Sequence, residues 1–213
     1  TGAGNINVNG IGHLNLTGFS SSASGTTTLS AGSPVTISTD MIQAGDIDLT
    51  AGETAAAGDD LTVNAGITVR STAGSVSLKA GDNVVLTAGA AGAGNQTEVD
   101  TTGGTGTVLL SAAFGDTDGA GLINIGDFST VTSANTTAGA LTLKGRDLIL
   151  DTTGNTTITA TGAGGGIRIY SASGAQTIEV GAALSGAAIT ITDAELARFT
   201  DYDVLTIGEA AVQ

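Results

Sequence analysis

The sequence predicts an all-β fold, a right-handed parallel β-helix of about ten coils with roughly 20 residues each. The first observation behind this prediction is a short apolar–polar–apolar triplet that recurs along almost the whole chain. The second is the composition: hydrophobic residues make up 40% of the chain and aromatic residues 3%, which favours a narrow aliphatic core and argues against disorder. The third is the Gly, Asn, Asp and Ser between triplets, which suit tight corners.

Each triplet has the period of a strand with one buried face. Examples are Val35–Ile37, Leu61–Val63, Val76–Leu78, Leu141–Leu143 and Ile189–Ile191. Successive triplets lie about eight or about twelve residues apart, so two of them predict one coil of about 20 residues. The segment Leu78–Asp82 is echoed by Leu143–Asp147, and we interpret the offset as about three coils.

A β-sandwich is the alternative fold. It would join antiparallel strands through two-residue turns such as Asn-Gly or Asp-Gly. The chain has these pairs only at Asn9-Gly10 and Asp118-Gly119, and most connections are longer. This pattern favours the solenoid, in which each coil is stabilised by its neighbours.

A short helix is predicted near residues 192–199. Thr192 and Glu195 have the spacing of a capping box, and Leu196 and Phe199 would face the same way. We therefore divide the chain into β-helix repeats over residues 1–191 and a helical insertion with a final strand over 192–213, continuous with the solenoid.

The C-terminal string ITDAELARFTDYDVLTIGEAA resembles a recurrent segment of filamentous-haemagglutinin-like bacterial exoproteins. The strings GSVSLKAGDNVVLTAG and GALTLKGRDLILDTTG are similar to β-helix coils of the same proteins. The resemblance implies a right-handed parallel β-helix, an extracellular or cell-surface location, and a role in adhesion, biofilm or fibre formation. It also implies export by two-partner secretion or an autotransporter route, although this chain lacks the N-terminal secretion domain of that family.

The charge and the ends of the chain indicate which partners to expect. The formal net charge is −14, which disfavours nucleic acid and anionic lipid, and no apolar run is long enough to span a membrane as a helix. The chain starts at Thr1, so we expect a processed product or part of a longer protein. The expected partners are adjoining coils or other copies, end to end, and surface glycans.

Asp116 and Asp118 are the candidate metal ligands, because Asp116–Gly119 resembles the start of a calcium loop. The downstream Glu of such a loop is missing, so we favour a polar loop and no cofactor, with calcium as the alternative. Four glycosylation sequons are present, at Asn15, Asn95, Asn135 and Asn155.

The sequence shows no catalytic motif, so we predict no enzymatic activity. The alternative is a polysaccharide-binding or polysaccharide-cleaving β-helix, in which stacking would bring Asp48, Glu98 or Asp100 near other carboxylates. His13 is interpreted as a surface residue and Arg168 as an outward-facing one. The glycine run at 162–166 is interpreted as a corner, because no Lys-Ser/Thr pair follows it.

Overall fold

The computed structural model describes residues 4–21, 24–173, 176–181 and 189–208. In this part of the chain, short strands wind as a parallel β-helix with three sheets, and every strand pair is parallel. The parallel β-helix predicted from the sequence is thus confirmed, while its handedness stays a prediction.

The first sheet has eight strands, each from a successive coil. They are β1 (Ile6–Asn9), β3 (Thr27–Ala31), β6 (Ile47–Ala51), β9 (Val76–Ala80), β12 (Val108–Ser111), β15 (Leu141–Gly145), β18 (Gly166–Ser171) and β22 (Val204–Ile207).

The other two sheets have six strands each, and a further pair lies near the C-terminal end. The second sheet contains β2 (Leu14–Leu16), β4 (Val35–Ile37), β7 (Leu61–Val63), β10 (Val84–Leu86), β13 (Leu122–Ile125) and β16 (Asp147–Leu150). The third contains β5 (Met41–Gln43), β8 (Thr68–Ser71), β11 (Thr97–Thr101), β14 (Ser129–Ser133), β17 (Thr157–Ala160) and β21 (Phe199–Thr200). The pair is β19 (Ile178–Val180) with β20 (Ile189–Ile191).

Aliphatic side chains fill the space between the sheets. One inward column of the first sheet runs through Leu49, Leu78, Leu110 and Leu143, which are in register and at most 1% exposed. Each such side chain contributes about 1.5–3 kcal/mol on burial. Because alternate residues face outward, the same strands present a polar outer surface.

A column of glycines lies at the corner before the first sheet. Gly25, Gly45, Gly74 and Gly106 each stand two positions ahead of the residue that enters the register of that sheet. A Cβ atom on Gly45 would lie 2.0 Å from the carbonyl oxygen of Gly25, and one on Gly106 would lie 1.8 Å from that of Gly74. The coils stack too closely here for any side chain.

The prediction of about ten coils with 20 residues each is wrong. The coils that begin at β3, β6, β9, β12 and β15 contain three strands each rather than two, and the first sheet has eight strands in the described part of the chain. Coil length also varies: Thr27 pairs with Ile47, 20 positions later, whereas Ile167 pairs with Leu205, 38 positions later. The echoed segments around Lys79 and Lys144 are two coils apart, not three, since Ser111 pairs with both.

The physical reason is that stacking constrains the strands but leaves the corners free to lengthen outward. Loops 52–60, 87–96 and 112–121 connect strands of the same coils and add residues without disturbing the core. The number of residues between successive triplets therefore depends on loop length as well as on the repeat of the strands.

The predicted helix near residues 192–199 is confirmed as α1 (Asp193–Leu196). Its capping box is present: the Glu195 amide donates to Thr192 Oγ1, and the Thr192 amide donates to Glu195 Oε2. Glu195 Oε1 also accepts from the amide of Leu150 at 3.2 Å, which fixes the helix against β16. Phe199 follows in β21 and is 4% exposed.

Replacing a stacked glycine tests this packing. We expect Gly106→Ala to lower the free energy of unfolding by at least about 1–3 kcal/mol, because the new methyl group overlaps the carbonyl of Gly74. Gly12→Ala is the matched control, since nothing lies within 4 Å of a Cβ atom at that position. Chemical denaturation measures both, and equal midpoints would contradict the close stacking.

Candidate functional site

Two outward loops meet at the corner between the first and second sheets. Loop 52–60 joins β6 to β7, and loop 112–121 joins β12 to β13, two coils further on. The backbone amide and hydroxyl of Thr117 donate to Glu53 Oε1 at 3.0 and 2.7 Å. The Thr117 hydroxyl also donates to the carbonyl of Thr54. We call this contact between Glu53, Thr54 and Thr117 the loop clasp.

Asp116 is held on both oxygens beside the clasp. Its Oδ1 accepts from the amides of Gly119 at 2.7 Å and Asp118 at 3.2 Å. Its Oδ2 forms an ion pair with Arg146, whose Nε lies 2.6 Å away. Asp118 Oδ1 accepts from the amide of Ala120 at 2.9 Å. These bonds give the loop its shape.

Glu53, Asp116 and Asp118 together form a possible cation site, because one oxygen from each lies within 4.8 Å of the others. Stacking thus supplies an acidic partner from a distant coil in place of the missing downstream Glu. Glu53 Oε2 is buried and accepts no hydrogen bond from any of the described residues, which favours a cation. Against it, a metal on Asp116 would compete with Arg146 and two amides. The polar-loop interpretation therefore has more support.

The pKa of Asp116 reflects these opposing influences. Burial acts to raise it, but the amide of Gly119 and the guanidinium of Arg146 outweigh burial and hold the pKa below its usual value. The folded loop therefore favours the ionised carboxylate. The stabilisation is present above the unfolded pKa of about 3.9 and is lost as the pH falls through the folded value.

A second charged cluster lies on the outer face of the third sheet. Asp100 on β11 is paired in register with Arg70 on β8. Arg70 Nε donates to both Asp100 oxygens at 2.8 Å, and Nη2 donates to Glu98 Oε2 at 2.8 Å. The hydrogen bond with Asp100 is the main cause of the raised pKa of Arg70.

This cluster brings together two of the three carboxylates that the sequence singled out. Glu98 and Asp100 share one face, as expected, whereas Asp48 lies on the first sheet and pairs with Lys79 at 2.8 Å. Arg70 engages both carboxylates, and Asp100 is only 6% exposed. Because Arg70 binds both carboxylates, they are better placed to act as fixed hydrogen-bond acceptors than as a general acid and a general base.

The other candidate residues lie apart from these clusters. His13 is exposed. Arg168 faces outward, as predicted, and its Nε donates to the carbonyl of Ala138 at 3.0 Å. The glycine run forms a turn closed by the amide of Gly165 on the carbonyl of Gly162, in agreement with the predicted corner.

The sequons differ in accessibility. Asn15, Asn95 and Asn155 are exposed. Asn135 is 6% exposed, its Nδ2 donates to the carbonyl of Thr105, and its Oδ1 accepts from the amide of Thr137. Asn135 is therefore a structural residue and a poor glycan acceptor.

Sequence reasoning missed Glu53 and Arg70. Glu53 lies 64 positions from Thr117, and Arg70 lies 30 positions from Asp100. Neither pair has a local motif. Only the stacking register identifies them. That register could have been found from the glycine that stands two positions ahead of the aligned residue in seven of the eight first-sheet strands; in β22 this position is Asp203.

The loop around Asp116 gives a pH-dependent prediction. We expect Asp116→Asn to destabilise the protein by about 1–2 kcal/mol at pH 7, because it breaks a partly exposed ion pair and its amide contacts. The difference from the wild type should shrink as the pH falls below about 4. Asp118→Asn is the control and should change stability by less than about 0.5 kcal/mol.

Thermal unfolding, measured with and without millimolar calcium, tests the cation site. A melting temperature that does not change with calcium is the expected result, because Arg146 already compensates Asp116. A calcium-dependent rise that Glu53→Gln abolishes would show that the carboxylates bind the ion instead.

The chain matches no protein-family model, no curated protein and no solved structure. The resemblance to filamentous-haemagglutinin-like exoproteins therefore stays a prediction from the segment that begins at Ile191 and from two coil strings. The stacked parallel strands show the fold independently of that resemblance.

Proposed function

We propose that this chain is a rigid β-helical rod, a structural or adhesive segment or subunit of an extracellular bacterial fibre or surface adhesin, without a catalytic role. The observation that carries the proposal is the unbroken in-register stack of eight strands in the first sheet. At about 4.8 Å per strand, this stack is about 35–40 Å long. A continuous aliphatic core makes such a stack a stiff spacer.

Its two edge strands support end-to-end association. β1 and β22 each have one strand partner in the described part of the chain. The inward columns reach Ile6 and Val8 in β1 and Leu205 and Ile207 in β22, and none of the four is fully buried. Another copy, or an adjoining coil, would extend both the hydrogen-bond ladder and the aliphatic columns.

Charge and pairing support a non-catalytic role that does not involve nucleic acid. The carboxylates of Glu98 and Asp100 are tied to Arg70, and Asp116 is tied to Arg146. The net charge of −14 disfavours nucleic acid as a partner. No helix in the described ranges is long and apolar enough to cross a membrane.

A polysaccharide-binding or polysaccharide-cleaving protein is the second candidate. The open groove beside Arg70 favours it, because Gln96, Thr130 and Thr132 line that groove with groups that can hydrogen-bond sugars. Release of reducing ends from acidic or neutral polysaccharides would support cleavage and contradict a purely structural role.

Negative-stain electron microscopy with size-exclusion chromatography tests the rod. We expect narrow rods of constant width that lengthen into filaments as the protein concentration rises. Val8→Lys should stop the lengthening, because it places a charge on the end of an aliphatic column. Asn7→Lys, which places the same charge on the outward side of β1, is the control and should leave it intact.

Compact globular particles in these images would contradict the rod. Filaments that form equally well in both variants would contradict stacking through β1.

A further inference from the structure

Basic residues are scarce in this chain, yet three of the six gather around one aromatic ring. Lys79 and Lys144 occupy the same outward column of the first sheet, with Ser111 between them. Arg146 follows in the corner after β15. Phe114, at the start of loop 112–121, emerges at this point.

The loop and Lys79 fix Phe114 in place. Its amide donates to the carbonyl of Ala80 at 2.8 Å, and Lys79 Nζ lies 5.4 Å from the ring centroid. The residue nevertheless stays 45% exposed. Aromatic residues make up only 3% of the chain, so an exposed ring that is fixed in position, such as that of Phe114, is unusual on this surface.

A cleft of about 480 Å³ opens beside this ring. Its lining includes Phe114, Asp116, Lys144, Arg146 and Ser173. The volume lies within the range of small-molecule sites, and the lining combines an apolar surface with a few convergent polar groups.

Of the three charged residues that line the cleft, Asp116, Lys144 and Arg146, only Lys144 has a side chain without a partner in the described part of the chain. Lys79 pairs with Asp48, and Arg146 pairs with Asp116 through Nε and Nη2. The side chain of Lys144 is half-buried and makes no hydrogen bond or ion pair with any residue in the described part of the chain. An anion in the cleft would supply the missing partner through a charge-assisted hydrogen bond.

We propose that this cleft binds a carboxylate-bearing sugar, a uronic acid unit of an acidic polysaccharide. Lys144 Nζ binds the carboxylate, Arg146 Nη1 donates a further hydrogen bond, and the ring of Phe114 packs against the C–H face of the sugar. A saccharide fits better than an acidic peptide, because the cleft places the flat ring of Phe114, which suits the C–H face of a sugar, beside the cationic groups of Lys144 and Arg146. The inference rests on the adhesive part of the proposed function and gives it a target.

Isothermal titration calorimetry of the full chain with tetragalacturonate tests the site. We expect measurable binding of this probe and none of the α-1,4-linked galactose tetramer, its neutral counterpart. Lys144→Gln should weaken binding at least about tenfold, since it removes a charge-assisted hydrogen bond. Phe114→Leu should weaken it several-fold. Acetate and monomeric galacturonate, run as competitors, separate carboxylate recognition from sugar recognition.

Arg168→Gln is the matched control, because it removes one positive charge from the same outer face, outside the cleft. Unchanged affinity in this variant supports the proposal. Equal weakening by Arg168→Gln and Lys144→Gln would overturn it in favour of diffuse electrostatic attraction, and competition by acetate as strong as by galacturonate would overturn sugar recognition. Absence of binding while the rods persist in micrographs would reject the glycan site and leave the rod intact.

Discussion

Close stacking of coils, about 4.8 Å apart, is the constraint on which the rest of this molecule depends. It explains why glycine occupies the corner before the first sheet, where a Cβ atom would overlap the coil below. It also explains how the backbone amides at this corner find hydrogen-bond acceptors in the preceding coil. Asp46 Oδ1 accepts from the amide of Ser75 at 2.7 Å, and Ser75 Oγ accepts from the amide of Thr107 at 3.0 Å. Each coil thus caps the next.

Stacking also decides where charged groups meet. Arg70 and Asp100 face each other because β8 and β11 are neighbours, and Thr117 reaches Glu53 because two long loops leave the same corner. Lys79 and Lys144 likewise share one outward column because both are in register with Ser111. Surface chemistry on this rod is therefore assembled across coils, and any binding face would run along the stack rather than along the chain.

The strands and the capping box could be predicted from the sequence because both depend on local patterns. Coil number could not, because loops such as 112–121 lengthen a coil without changing its strands. Asp116 was identified from its local motif, yet its partners Arg146 and Glu53 come from other coils. The sequence identified Lys144 only as part of an internal echo, and only the fold shows that it has no acidic partner among the described residues.

Pulsed dipolar distance measurement between spin labels tests the three-strand coil most directly, since the chain has no native cysteine to interfere. Thr28 and Thr206 lie in one outward column, six register steps apart, and Thr28 and Thr142 are four steps apart. Labels at Thr28→Cys/Thr206→Cys should be about 29 Å apart, and those at Thr28→Cys/Thr142→Cys about 19 Å apart. A first distance near 43 Å, the value for coils of about 20 residues, would contradict the account.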